Sequence, residues 1–172
     1  MAQSRWKSIF RYLYRMEMAY MQTPLGVARI EGDAAGISVI SILDEPQPVS
    51  TEIPEVLQQA VTELTAYFAS GRRDFTFALA PEGTDFQKRI WQLLAEIPYG
   101  KTVSYLDLAR RFGDEKAIRA VAAANGKNPL WIVVPCHRVI GSDGSLTGYA
   151  GGLWRKKWLL EHENPSGQTR LF

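Results

Sequence analysis

The stretch Trp131-Ile132-Val133-Val134-Pro135-Cys136-His137-Arg138-Val139 restricts the fold more than any other part of this chain. Four apolar residues run into a proline, which has no N–H to give a sheet, and a thiol and an imidazole follow side by side. Successive residues of a regular strand point to opposite faces, so Cys136 and His137 can act together only if the chain turns there. The pattern predicts a buried strand over 131–134 that gives way to a turn at Cys136. Cys136 is the only cysteine in 172 residues, and His137 is one of two histidines. A single cysteine excludes an internal disulfide and a multi-cysteine zinc site, and no metal site is expected. An ordinary thiol, with a pKa of about 8.5, is mostly protonated at neutral pH. A neighbouring imidazole, or water held by one, can take that proton and leave a reactive sulfur. Adjacency alone favours a blander outcome, since lone cysteines are usually small buried hydrophobes and lone histidines usually structural.

The rest of the chain supplies the context. Val27–Ile30 and 36–43 are rich in β-branched residues and flank Glu31-Gly32-Asp33, which reads as a hairpin turn. Pro54 suits a first helical turn, and Leu57, Ala60, Val61, Leu64 and Phe68 repeat at helical spacing up to Gly71. Alternating Phe75, Phe77 and Leu79 predict a strand over 74–79. Residues 18–83 therefore read as a small α/β scaffold domain without a catalytic constellation, ending near Pro81-Glu82-Gly83. Thr84 and Gln87 form a capping box for a helix with Phe86, Ile90, Trp91 and Leu94 on its core face, stopped before Pro98. Ser104 caps a helix carrying Leu106, Leu108, Ala109 and Phe112 that ends at Gly113, and a second, alanine-rich helix is predicted over 116–125. Two short helices so closely joined are a helix-turn-helix pattern. A Gly-rich loop and a final helix with Trp154, Trp158, Leu159 and Leu160 follow, and the tail from Asn164 is polar.

Charge is unevenly spread. Residues 84–172 hold 13 Lys and Arg against 8 Asp and Glu, whereas residues 18–83 hold 3 against 9. The half with the cysteine is the basic half, which suits a polyanionic partner. Residues 1–17 place Trp6, Ile9, Phe10, Leu13 and Met16 at roughly helical spacing among four basic residues. They read as a basic N-terminal extension, most simply an extra helix or a loose leader before the domain. No apolar run reaches the roughly 18 residues that mark a membrane span, and a cytoplasmic monomer is expected.

Pro135-Cys136-His137-Arg138-Val139, then Ile140-Gly141 and Gly148-Tyr149-Ala150-Gly151-Gly152-Leu153, closely resembles the O6-alkylguanine-DNA alkyltransferase family over roughly Thr84 to Glu163. The resemblance implies a ribonuclease H-like N-terminal domain and a helix-turn-helix or winged-helix-like domain over 84–172 that carries the reactive cysteine. It implies repair of double-stranded DNA containing O6-alkylguanine by a single transfer of the alkyl group to Cys136, without a cofactor. A thiol cannot reach guanine O6 inside a stacked duplex, so the base must first be rotated out. By the same resemblance, His137 and Glu163 complete a relay that runs Cys136, water, His137, Glu163. The carboxylate would favour imidazolium, and imidazolium would favour thiolate. Tyr105 would assist flipping, bond the flipped guanine and neutralise the leaving purine. Asn128 would tie the DNA-binding helix to the reactive site. Val139, Ala150 and the backbone of Cys136 would contact the guanine edge, with Tyr149 lining the pocket and Trp131 beside the alkyl group. Arg119 would fill the gap left by the extruded base, from a helix whose small residues, including Ala120, allow close approach to DNA. Lys116 and Lys127 are further candidate DNA contacts.

Other classes fit parts of the pattern. A helix-turn-helix regulator would use Cys136 as a buried or sensing thiol, and an alkyltransferase-like lesion sensor would bind damage without a reactive cysteine. A Cys-His hydrolase lacks support from any oxyanion feature or separate triad.

Overall fold

The computed structural model describes residues 15–164, which divide into two compact units, one running to Pro81 and one starting at Glu82. The helix expected over residues 1–17 lies, up to residue 14, outside the described residues, as does the tail beyond Asn164.

The first unit is a three-stranded antiparallel sheet, in the order β1 (Glu17–Thr23), β2 (Gly26–Asp33), β3 (Gly36–Ile42), packed against helix α1 (Glu55–Phe68). Period-two alternation sends Ala19, Met21, Ile30 and Ile40 inward against Leu57, Ala60, Leu64 and Tyr67. Two expectations change here. The hairpin turn falls at Ala34-Ala35 rather than at Glu31-Gly32-Asp33, because Gly32 and Asp33 stay in β2, paired with Ile37 and Gly36, and the extra residue at the register shift is Ser38 of β3. Residues 74–79 do not form a strand but make one parallel bridge, Leu79 to Ile37. Gly36, at φ +140°, lets the backbones meet there, since a Cβ on it would stand 2.7 Å from the Ala78 carbonyl oxygen. Pro54 caps α1 rather than entering its first turn.

The second unit is mostly helical. Helix α2 (Asp85–Ala95) starts at the expected Thr84–Gln87 capping box and buries Ile90, Trp91, Leu93 and Leu94. Two-residue strand β4 (Val103–Ser104) leads into α3 (Tyr105–Phe112), which is capped reciprocally by Ser104 and Asp107 and closed by left-handed Gly113. The predicted helix over 116–125 is instead a 3-10 turn, Glu115–Ala117, followed by α4 (Ile118–Gly126). The Trp91 indole donates to the Ala124 carbonyl at 2.9 Å and ties α2 to α4. Strand β5 (Val139–Ile140) pairs parallel with β4, and α5 (Leu153–Glu163) ends the described chain. Among the described residues no helix is long and apolar enough to cross a membrane.

Candidate active site

The segment before the cysteine is not the expected strand. Val133 N–H bonds Trp131 O, Val134 N–H bonds Leu130 O, and Ile132 sits at φ +74°. Asn128 holds this coil. Its Oδ1 accepts from Leu130 N–H at 2.9 Å, and its Nδ2 donates to Val134 O at 2.7 Å. A side chain therefore satisfies backbone groups that a sheet would otherwise pair. The chain then tightens into a 3-10 turn, Cys136–Arg138, so thiol, imidazole and guanidinium leave one turn in different directions.

All three side chains are buried. His137 is fully enclosed and its Nε2 lies 2.8 Å from Glu163 Oε1, while its Nδ1 has no hydrogen-bond partner among the described residues. Glu163, the last residue of α5, also accepts from Arg138 Nε at 2.8 Å, from Arg138 Nη2 at 3.0 Å and from the Gly100 N–H at 3.3 Å. Arg138 Nη1 donates to Ile97 O at 2.6 Å, and the guanidinium lies 5.7 Å from the centre of the Tyr99 ring. Gly100 is required at φ +70°, where a Cβ would stand 2.9 Å from Glu163 O. The segment Pro98-Tyr99-Gly100, a helix stop in the sequence, is thus part of the wall around the carboxylate.

These contacts decide the resting protonation. Although burial opposes its charge, His137, by its hydrogen bond at rest and by its charge once protonated, together with the hydrogen bonds and charge of Arg138, holds the Glu163 carboxyl well below its ordinary range. Burial pushes the His137 imidazole down, and although Glu163 pulls it up, Arg138 and Lys156 push it down further. Burial pushes the Cys136 thiol up to about 11, against the opposing pull of Asn128, Lys156 and nearby backbone amides. The expected imidazolium–thiolate order is therefore not the resting one, because burial opposes both charges, with Arg138 and Lys156 adding to it at the histidine. Neutral His137 donates from Nε2 to Glu163 and keeps a lone pair on Nδ1.

A cleft of about 530 Å³ opens beside this centre, lined by Tyr105, Arg119, Asn125, Gly148, Tyr149 and Ala150 among others. Tyr105 Oη lies 3.3 Å from both the Thr147 and Gly148 carbonyl oxygens. Burial raises both phenols, Tyr149 strongly, and the nearby Cys136 sulfur raises both further. Arg119, Ala120 and Lys127 are exposed on α4 and its C-terminal cap, with Lys116 exposed on the preceding turn. Val139 is buried, and its carbonyl accepts from Lys156 Nζ at 2.6 Å. Trp131 is half-buried and does not line the cleft; its ring stands behind Tyr149, centroids 5.5 Å apart, and over Gly151. No group of three or more His, Cys, Asp or Glu among the described residues could hold a metal ion.

The sequence reading missed two residues of this centre. Arg138 was part of the motif without a role. Lys156 drew no reading at all, yet it is fully buried, with Nζ also donating to Thr147 O at 2.8 Å and Gly148 O at 3.2 Å. Burial lowers its pKa to about 8. The only signal for it was helical phase: Lys156, Leu159 and Glu163 share the buried face of α5.

The family model described as 6-O-methylguanine DNA methyltransferase, DNA binding domain, matches residues 85–165. The methylated-DNA--protein-cysteine methyltransferase of Methanosarcina acetivorans is 43% identical over 153 residues, covering 86% of this chain and 98% of that one. The crystal structure of Mycobacterium tuberculosis O6-methylguanine methyltransferase is similar with a TM-score of 0.79 at 40% identity, covering 91% of this chain and 97% of that one. The structure of Mycobacterium tuberculosis OGT in complex with DNA gives the same TM-score, 0.79, at 42% identity, covering 86% and 92%. With a relative this similar matched along almost its whole length, the chain belongs to the methylated-DNA--protein-cysteine methyltransferase family.

Proposed function

We infer that this protein repairs double-stranded DNA by moving the alkyl group of O6-alkylguanine onto Cys136 Sγ, once per molecule. One observation carries the assignment to these residues. Glu163 fixes Nε2–H of His137, which leaves the buried Nδ1 lone pair as the acceptor for a proton from the adjoining thiol. The flipped base enters the cleft of Tyr105, Tyr149 and Ala150, while Arg119 on the exposed face of α4 takes its place in the stack. As the purine engages, the thiol proton passes through one water to Nδ1. The sulfur forms a bond to the alkyl carbon, the carbon–O6 bond breaks, and the electron pair goes to guanine. Tyr105 gives its proton to the purine as charge develops, and the imidazolium restores the balance. Val139, Ala150 and Cys136 offer backbone groups to the guanine edge; the Val139 carbonyl keeps a second lone pair beside its bond to Lys156. Lys116, Ala120 and Lys127 lie against the phosphates and groove. The thioether product is not readily cleaved, so the protein acts once and needs no cofactor.

On this reading residues 18–83 are a ribonuclease H-like scaffold, and residues 84–172 a helix-turn-helix domain of winged-helix type, acting in the cytoplasm as a monomer. The paired helices α3 and α4 and the short β4–β5 pair support the second description. The test is incubation with a duplex carrying O6-methylguanine, then intact mass measurement. The protein is expected to gain one CH2 as S–H becomes S–CH3, and Cys136→Ala to gain nothing while binding the duplex as before. Mass gain in Cys136→Ala, or none in the parent, would sink the assignment.

A further inference from the structure

Asn125 has a role that the motif reading did not assign. The buried residues of α4 are Val121, Ala124 and Asn125, spaced i, i+3 and i+4, the row that faces a core. A carboxamide breaks that row. Asn125 is only 3% exposed, and its Oδ1 is buried without a hydrogen-bond partner. A buried polar atom left unpaired is costly, and such exceptions call for an explanation in function. The other end of the same side chain supplies one. Asn125 lines the cleft together with Tyr105, and its side chain is close enough to the hydroxyl to oppose the rise that burial gives that phenol.

The orientation follows from counting protons. Tyr105 Oη has one hydrogen and already faces two acceptors, the Thr147 and Gly148 carbonyls. If Asn125 Oδ1 pointed at it, three acceptors would compete for one proton. If Nδ2 points at it, the phenol donates to the loop carbonyls and accepts from the amide, and the one proton is no longer contested. The unpaired Oδ1 is the consequence of placing an N–H at the phenol.

We propose that Asn125 is a positioning residue for alkyl transfer, its amide nitrogen donating to Tyr105 Oη and holding that oxygen as the phenol gives its proton to the leaving guanine. The bonds from Tyr105 to the loop carbonyls are long, 3.3 Å each, and are readily exchanged for a purine nitrogen. As negative charge grows on Oη, the amide N–H bond becomes charge-assisted and strengthens in the transition state rather than in the ground state. The inference rests on transfer to Cys136 with Tyr105 as the acid, and its test separates the two.

The experiment is a double-mutant cycle with Asn125→Leu, Tyr105→Phe and the pair, measuring single-turnover transfer from an O6-methylguanine duplex. Asn125→Leu is expected to slow transfer roughly tenfold, the worth of one hydrogen bond to a developing charge. In the Tyr105→Phe background the same substitution should change nothing, because the oxygen it serves is gone. Leucine completes the apolar row, so the thermal midpoint of Asn125→Leu should equal or exceed that of the parent, which a merely structural asparagine would not allow. Asn125→Ala repeats the measurement with a smaller side chain should leucine overpack. Equal slowing in both backgrounds, or none in either, overturns the role of Asn125 while leaving Tyr105 as the acid. If Tyr105→Phe itself transfers at the parent rate, the acid assignment falls and Asn125 falls with it. Parent protein that transfers nothing would refute the repair reading instead.

Discussion

Arg138→Met is the sharpest test of the charge balance behind Cys136. The guanidinium makes three hydrogen bonds, two to the Glu163 carboxylate at 2.8 and 3.0 Å and one to Ile97 O at 2.6 Å, and is almost wholly buried. Methionine keeps the packing of the stem but leaves the carboxylate without that countercharge. Removing one partner of a buried pair costs about 3–5 kcal/mol, against a total stability of roughly 5–15 kcal/mol, so the variant should fold but unfold at clearly lower urea. Its pH dependence should reverse. In the parent, His137 lies below its ordinary 6.5 and Glu163 below 4.5, so the unfolded chain binds more protons. Stability then falls as pH drops through about 6.5, and falls again below about 4.5. Without Arg138, His137 takes over as countercharge and its folded pKa rises above 6.5. Stability is then fully present below that value and is lost as pH rises through the new one, each unit being worth about 1.36 kcal/mol. The slopes between roughly pH 5.5 and 7.5 should therefore have opposite signs. Transfer by the variant should be slow at neutral pH, where imidazolium cannot take the thiol proton, and recover on the alkaline side. Urea unfolding followed by tryptophan fluorescence at several pH values, with transfer rates alongside, reads both effects. Parallel slopes, or a loss below about 1 kcal/mol, would refute the account of how this centre holds its protons.

Two further substitutions probe the DNA face and the pocket. Arg119→Ala should weaken repair in duplex DNA more than reaction with free O6-alkylguanine base, because the free base needs no extrusion; equal loss on both substrates would remove Arg119 from that role. The parent should repair O6-methylguanine well and react slowly with O6-benzylguanine, and Trp131→Ala should restore the benzyl reaction by freeing Tyr149 to move back. A parent that already reacts quickly with the benzyl base would show that the indole does not restrict the pocket.

The fold was legible wherever one local rule acted unopposed. The capping box at Thr84, the cap at Ser104 and the stop at Gly113 lie where the sequence put them, because each is settled by contacts within four residues. The misreadings share another cause. The runs at 131–134 and 74–79 have the β-branched or alternating composition of strands, but a strand needs a partner edge. At 131–134 the Asn128 side chain satisfies the backbone instead, and at 74–79 only Ile37 is within reach. Composition measures how well a residue suits a sheet, and availability of an edge is a tertiary fact. Glu31-Gly32-Asp33 misled for a related reason, since Gly32 marks a close approach of β3 inside the sheet, where a Cβ would stand 2.6 Å from Gly36 O, rather than the turn itself.

The site was legible as a set of reactive groups and illegible as a charge balance. Cys136 and His137 stand out as the only thiol beside one of two imidazoles, whereas Tyr105 is singled out by the family resemblance alone. Arg138 and Lys156 do not stand out, because the sequence offers nothing to separate a buried cation from a solvated one until the helix phase and the opposing wall are known. Their burial changes the chemistry in sign, not only in degree. A His–Glu pair read alone predicts imidazolium, whereas burial of the same pair, with Arg138 bonded to the carboxylate through two nitrogens, favours neutral imidazole. Lys156 adds a second cation that disfavours imidazolium and favours thiolate at once, since the same positive field acts on both neighbours. Burial and the two cations thus favour neutral imidazole while burial holds the thiol protonated, and in the reaction proposed above the proton moves only when the alkylated base gives the sulfur something to attack.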